Sequence, residues 1–339
     1  MHLKKILGIE SSCDDSSVAI VNSSYKVESL FSTNQIKEHQ IFKGVVPEIA
    51  SRTHTKDLLS LVELCFKETN YSFADIDAIA VTSKPGLVGS LMVGTTTAKT
   101  LALAQNIPFL GVNHLEGHMV APFLQDTSTP AHNKLTFPFL ALIVSGGHTH
   151  IYSVKSLSDY CLIGKTLDDA AGEALDKFAQ LLGLTFPGGA ELDKLATHAD
   201  SSYFNFPRPL SKEKNANLSF SGLKAAGSRL VSGLSKKDLL KNKAHLAASY
   251  QRAVVDTLIK KLQQAQEETQ LTHIVVSGGV SANSLLRQEI KQWCKNKNLH
   301  LSIPSLKYCT DNAAMIAFAG YLHMKEGLFS NQYLSPTST

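Results

Sequence analysis

The chain has 339 residues and a mass of 36.8 kDa, long enough for one large or two medium domains with real cores. A composition that is 43% hydrophobic and 18% charged belongs to a globular protein and excludes a disordered one. The formal charge of +4 and a pI near 8.6 permit an anionic partner but lack the basic excess of a dedicated nucleic-acid binder.

The five cysteines (Cys13, Cys65, Cys161, Cys294, Cys309) are scattered and form no Cys-x-x-Cys pair, which fits reduced thiols in a cytosol rather than a disulfide framework or zinc cage. The apolar stretch between Lys5 and Glu10 is too short for a secretory signal, and no apolar run approaches a membrane span. A cytoplasmic protein is expected.

Residues 3–9 and 17–22 are apolar and β-branched, and they flank the polar turn Glu10-Ser11-Ser12-Cys13-Asp14-Asp15-Ser16. The turn is either a hairpin tip with local side-chain bonds or a loop whose hydroxyls and amides face a phosphate while an Asp holds a cation. Residues 54–68 carry apolar positions at helical spacing. A strand over 78–81 leads through Lys84-Pro85-Gly86 into a small-residue helix over 89–105, without the Gly-Lys-Ser/Thr ending of a P-loop. The run 108–112 reads as a short buried strand.

The segment Asn113-His114-Leu115-Glu116-Gly117-His118 follows that strand. If it is helical, His114 and His118 lie one turn apart on one face and can share a metal ion. Glu116 is about 200° around the helix from either histidine by the 3.6-residue period, so it points away from that face. This disfavours the His-Glu-x-x-His arrangement of hydrolytic zinc sites, in which the Glu is general base. Two ligands do not close a site, and a third is needed from elsewhere.

Residues 126–136 read as an exposed loop or an inter-domain crossing. From 139 to 154 the chain repeats the layout of 6–22: apolar strand, small polar turn (Ser145-Gly146-Gly147-His148), second strand. This suggests an internal structural repeat. The Gly-Gly turn suits either a phosphate cradle of open N–H groups or a plain hairpin. An acidic helix is expected over 168–178, and Pro187-Gly188-Gly189 opens another. Residues 205–243 are polar and include Phe220-Ser221-Gly222-Leu223-Lys224 and the lysines 236, 237, 241 and 243, a solvated face or a polyanion contact. A long helix over 245–269, a strand over 273–276, the turn Ser277-Gly278-Gly279 and a helix over 284–295 follow; strand, Gly-Gly turn and helix form a nucleotide-type unit. A short strand at 301–304 precedes a last helix to about 326. Asp311 reads first as its N-cap, and otherwise as a carboxylate free to complete a two-histidine metal site. The tail after Leu328 is expected to be loose.

Seven of these landmarks, in order and over nearly the whole chain, resemble the catalytic subunit of the tRNA N6-adenosine threonylcarbamoyltransferase family, once described as O-sialoglycoprotein endopeptidases. They are Gly8-Ile9-Glu10-Ser11-Ser12-Cys13-Asp14, Asn113 to His118, Val144-Ser145-Gly146-Gly147-His148-Thr149, Pro187-Gly188-Gly189, Phe220 to Lys224, Ser277-Gly278-Gly279-Val280 with Asn283, and Thr310-Asp311-Asn312. Asp15 departs from the family's usual Glu by one methylene, and Ala190 stands where a Pro is common.

The resemblance implies an α/β protein of the actin-like ATPase (ASKHA) fold, with two related subdomains around a nucleotide cleft: residues 1–113 with 306–330, residues 114–305, and a loose tail over 331–339. It implies one divalent metal on His114, His118 and Asp311, with Fe2+ placed before Zn2+. It implies that Ile143, Val144, Ser145, Gly146 and Gly147 hold the phosphate end of the substrate, and that Asp176, Gly189, Asp193 and Asn283 line the nucleoside. The reaction would move a threonylcarbamoyl group from threonylcarbamoyl-adenylate to N6 of an adenosine beside the tRNA anticodon. Asp14 and His148 are the candidates for its proton transfers. Expected partners are tRNA, a paralogous actin-like subunit and a small P-loop ATPase, and no membrane. The competing readings are a metallopeptidase, a small-molecule kinase of the same fold, whose Mg2+ prefers oxygen ligands over imidazoles, and a non-catalytic scaffold.

Overall fold

A computed structural model describes residues 3–42, 44–126 and 134–339. The chain divides into two compact units, Met1–Leu135 with Pro304–Thr339, and Thr136–Ile303.

The first unit holds strands β1 (Lys5–Glu10), β2 (Asp15–Asn22), β3 (Val27–Asn34), β4 (Ala78–Lys84) and β5 (Phe109–Asn113) in the order β3-β2-β1-β4-β5. β1, β2 and β3 are antiparallel; β1, β4 and β5 are parallel. The second unit holds β6 (Phe139–Val144), β7 (Thr149–Val154), β8 (Tyr160–Lys165), β9 (His273–Ser277) and β10 (His300–Ser302) in the order β10-β9-β6-β7-β8. Here β6, β7 and β8 are antiparallel, and β6, β9 and β10 are parallel. Strand for strand this is the same sheet twice, which bears out the repeat read between residues 6–22 and 139–154.

The central strands of both sheets, such as β1, β4, β6 and β9, are buried runs of β-branched and aliphatic residues, as strands covered by helices require. In the first unit Leu7, Ile9, Val18, Ile20, Ile79 and Val81 pack with Leu58, Leu61, Val62 and Cys65 of α2 (Pro47–Thr69) and Ala98 and Ala102 of α3 (Val88–Gln105). In the second, Leu140, Leu142, Ile151, Ile274 and Val276 share a core with Phe178 of α5 (Ala171–Leu181), with Tyr250, Val254 and Leu258 of α8 (Lys236–Thr269), and with Leu286 and Ile290 of α9 (Ser284–Asn296). The Phe178 and Tyr250 rings stack with centroids 3.8 Å apart.

Several expectations are corrected. The division falls after Leu135 rather than after Asn113. The reason is local: β5 runs straight into α4 (His114–Val120), and α4 packs on α10 (Ala313–Lys325), so both stay with the first unit. Part of the loop expected over 126–136, residues 127–133, lies outside the described residues. The helix expected from residue 54 begins at Pro47, with Pro at a first-turn position. The one expected from 245 begins at Lys236, where Ser235 caps it by accepting from Asp238 N at 3.1 Å; the lysine run lies on its first turns. The acidic helix starts at Ala171 because Asp168 is committed elsewhere. It accepts from Phe220 N (2.8 Å), Ser219 Oγ (2.5 Å) and Ser221 Oγ (2.6 Å), fixing the start of α7 (Ser221–Ser232). The tail is not loose: Ser330 N donates to Phe109 O (3.0 Å), Thr337 N to Ser83 O (3.0 Å) and Lys99 Nζ to Gln332 O (2.9 Å), covering the edge of β5.

The turn after β9 depends on Gly278, with φ of +92° and its missing Cβ only 2.4 Å from Val144 O. Gly278→Ala should destabilise the protein by about 3 kcal/mol, from left-handed strain plus overpacking against β6. Urea denaturation measures it, and a loss below about 1 kcal/mol would show that the turn relaxes freely.

Candidate functional site

Parallel strands end where ligands gather in α/β sheets, and the first unit places its polar groups at those ends. β1 ends at Glu10, which is fully buried. Its Oε1 accepts from Ser12 N (2.6 Å), and its Oε2 accepts from Thr82 Oγ1 (2.5 Å) and His114 Nδ1 (3.0 Å). Because an ionised carboxylate only accepts, His114 Nδ1 carries the hydrogen and Nε2 faces the other way. There Asp311 Oδ1 lies 3.3 Å from His114 Nε2 and 3.1 Å from His118 Nε2.

The helical reading of residues 114–118 holds: α4 starts at His114, and Asn113 caps it by accepting from Leu115 N at 2.9 Å. Asp311 is not the cap of α10. Asn312 takes that role, accepting from Met315 N at 3.0 Å, and this leaves Asp311 to face the histidines. All three side chains lie in the first unit, and their candidate ligand atoms lie within 4.8 Å of one another. His114, His118 and Asp311 can thus hold one metal ion.

The donor set fits an ion. Donors about 3 Å apart are bridged by a first-row metal with bonds near 2.1 Å, and two imidazoles with one carboxylate leave coordination positions open. The Glu10–His114 contact is the carboxylate–imidazole brace that metal-binding histidines use. The surroundings are also over-negative. Burial, then the Asp311, Asp14 and Glu10 carboxylates, push Asp15 up to about 8. For His114, burial lowers the pKa, but Asp311 and Glu10 outweigh it and hold the imidazole well above its usual range. Asp311 is held well below the carboxylate range: burial opposes this, and the His114 and His118 contacts overcome it.

The turn after β1 is held from behind by His54 on α2, which is fully buried. His54 Nε2 donates to Cys13 O (2.9 Å), so Nδ1 accepts from Ser16 Oγ (2.7 Å). Burial lowers the His54 pKa and keeps it neutral. Burial also raises the Cys13 thiol, helped by Asp14 and Asp311, so it is neither nucleophile nor thiolate ligand at neutral pH. Asp14, half-buried, stands on this turn. His148 belongs to the second unit.

In the second unit Ile143 and Val144 are buried in β6 and can offer only backbone. Ser145 Oγ accepts from His148 N at 3.1 Å, closing the turn. Gly146 and Gly147 are exposed, with nothing within 4 Å of where a Cβ would stand, so a ligand can approach their backbone. The expected nucleoside residues form two pairs. Asp176 Oδ1 accepts from Gly188 N and Gly189 N, each at 2.8 Å. Asp193 accepts from Asn283 Nδ2 (3.2 Å), Gln251 Nε2 (2.9 Å), Ser284 Oγ (2.7 Å) and Ser284 N (3.0 Å). Asn283 Oδ1 caps α9, accepting from Leu286 N at 3.0 Å. Asp193 and Asn283 are thus largely used as braces between α6 (Gly189–Ala196) and α9, while Asp176 keeps its second oxygen. Sequence reasoning missed the braces Thr82, Ser12 and His54, which carry no local signal.

The sequence pattern of the tRNA N6-adenosine threonylcarbamoyltransferases matches residues 26–318. A protein of that name from Bdellovibrio bacteriovorus is 46% identical over 335 residues, covering 99% of this chain and 97% of its own. Another, from Francisella tularensis subsp. holarctica, is 48% identical over 320 residues, covering 93% of each. The chain belongs to the tRNA N6-adenosine threonylcarbamoyltransferase family. It is a transferase that acts on tRNA. Among solved structures, component A of the (R)-2-hydroxyglutaryl-CoA dehydratase of Acidaminococcus fermentans aligns with a TM-score of 0.54 at 13% identity, over 94% of this chain and 98% of that one. Full-length HypF aligns with a TM-score of 0.60 at 14% identity, over 98% of this chain and 56% of that one. Together with the duplicated sheets, they show the actin-like ATPase fold. No described helix is long and apolar enough to cross a membrane.

The raised pKa of His114 carries a sign for metal binding. In the metal-free protein the two carboxylates favour a proton on His114, and a metal taking Nε2 must displace it. Apparent Zn2+ affinity should therefore rise with pH, by up to about tenfold per unit below the raised His114 value. Chelator competition at pH 6, 7 and 8 measures this; a flat response would remove His114 from the ligand set.

Proposed function

We propose that this protein moves the threonylcarbamoyl group of threonylcarbamoyl-AMP to N6 of the adenosine 3′ to the anticodon, in tRNAs reading codons that begin with adenine, and releases AMP. The observation that carries the reading is the convergence of His114, His118 and Asp311 at 3.1–3.3 Å within a chain of this family.

The donor is a mixed anhydride. N6 attacks its carbamoyl carbon, the carbon–oxygen bond to phosphate breaks, and N6 loses a proton. The metal on His114, His118 and Asp311, Fe2+ before Zn2+, would supply Lewis-acid polarisation of the donor. Two histidines and one carboxylate suit Fe2+ and leave positions open. Glu10 keeps His114 in the tautomer that presents Nε2. The segment Ile143 to Gly147 takes the phosphate end, with the amides of Gly146 and Gly147 stabilising the leaving charge. The second oxygen of Asp176 takes a nucleoside hydroxyl, while Gly189, Asp193 and Asn283 line the nucleoside and keep α6 and α9 in place beside it. Asp14 and His148 are the candidates for the N6 proton. Positioning of donor and amine supplies much of the rate, because an exocyclic amine is a poor nucleophile. The base of a His-Glu-x-x-His peptidase is not supplied by Glu116, which bonds to His323 instead of facing the metal ligands.

Work on tRNA suits the cytoplasm, and the five cysteines are all free. A paralogous actin-like subunit and a small P-loop ATPase complete the assembly. The test is a transfer assay with unmodified tRNA, labelled threonylcarbamoyl-adenylate and these partners. Label should reach tRNA with the wild type and fall at least about 100-fold in His114→Ala and Asp311→Ala. No label with the metal-loaded wild type would overturn the transferase reading. Label retained in both variants would keep the reaction and remove the metal assignment.

A further inference from the structure

The two histidine ligands are held differently. His114 Nδ1 is braced by Glu10 Oε2 at 3.0 Å and lies 3.2 Å from Ser12 Oγ. His118 Nδ1 is buried and has no hydrogen-bond partner among the described residues. The place of His118 is therefore set by where α4 itself sits. At seven residues α4 has no stability of its own, so its contacts decide its position.

Among the contacts that seat α4 on α10 are those of Gly117 and Glu116. Gly117 lies so close to α10 that a Cβ would come 2.9 Å from Met315 Cγ and 2.9 Å from Ile316 Cδ1. Glu116 Oε2 accepts from His323 Nε2 at 2.7 Å, and the side chains are only 11% and 12% exposed. Glu116 stands midway between His114 and His118, and His323 is on the helix that follows Asp311 and Asn312 directly. One hydrogen-bonded pair thus ties the helix bearing two ligands to the helix behind the third.

We infer that Glu116 and His323 are positioning residues: their pair seats α4 on α10 and holds His118 in register with Asp311. The inference rests on the metal reading of His114, His118 and Asp311. Replacing Glu116 takes the acceptor from His323 Nε2, and replacing His323 takes that donor from Glu116, so either change breaks this tie and lets α4 shift on α10. Ligand sets tolerate about 0.5 Å of displacement before they weaken.

The experiment titrates Zn2+ by calorimetry and Co2+ by visible absorption into the purified full chain. Glu116→Ala and His323→Ala should each weaken Zn2+ binding about tenfold, as losses of outer-shell partners do, and alter the Co2+ spectrum. The double variant should be no weaker than Glu116→Ala alone, since the contact to His323 is already lost there. Glu116→Gln, whose amide oxygen still accepts from His323, should stay within about threefold of wild type and guards against a variant that merely fails to fold. Leu61→Ala, in the core of α2, should lower stability and leave metal binding unchanged. Wild-type affinity and spectrum in Glu116→Ala would overturn the inference and leave the pair purely structural. Glu116→Gln as weak as Glu116→Ala would also overturn it, because charge rather than seating would then be acting. A wild type that binds no metal, or His118→Ala binding as tightly as wild type, would instead overturn the metal reading.

Discussion

A carboxylate with no solvent exposure must be matched, and Glu10 is matched on every side. It takes a backbone amide from Ser12, a hydroxyl from Thr82 and the Nδ1 hydrogen of His114. Burial alone would raise its pKa, but the His114 contact turns the shift downward and keeps it ionised. The consequence reaches past the pair. An ionised Glu10 allows only one tautomer of His114, and that tautomer presents Nε2 to Asp311. The ends of β1, β4 and the start of α4 are thereby tied at one point. Had the same carboxylate been exposed, solvent would screen it and the histidine could turn.

The duplicated sheet explains why chemistry collects where it does. In both units the first strand is followed by a tight polar turn and an antiparallel return, and parallel neighbours end beside that turn. The first unit fills the position with carboxylates, hydroxyls and imidazoles. The second fills it with glycines, whose amides stay open. Side-chain charge at one and bare backbone at the other suit a cation and a phosphate respectively. The fold supplies the positions twice, and residue choice divides the work.

Much of this was legible in the sequence, for physical reasons. Runs such as Lys5 to Glu10 and Phe139 to Val144 are buried on both faces and need continuous apolar residues, so they read as strands. β3 and β8 escaped because they are half exposed without a strict alternation. The first turns of α8 escaped because they are largely exposed, with Leu239 against the core, and carry no apolar period; the Ser235 cap marks their start. The spacing of His114 and His118 pointed directly to two candidate ligands. The third was ambiguous, since Asp311 and Asn312 are both good caps, and only the backbone of Asn312 decides which residue is used. Glu10 ends a strand like any other residue, and its partners Thr82 and His114 come from distant segments, so only the fold reveals it.

The charge around the triad links these observations. His114 and Asp15 are both shifted upward: burial is the first cause for Asp15, with the neighbouring carboxylates adding to it, while for His114 burial works the other way and the Asp311 and Glu10 carboxylates outweigh it. Protons are the only counter-charge the side chains can recruit for themselves. A divalent cation on the triad supplies the same charge at the same place, so metal and protons are competing occupants of one electrostatic well. Metal binding at such a site would release protons, and Asp15, whose shift includes the Asp311 carboxylate, sits within the field that would change.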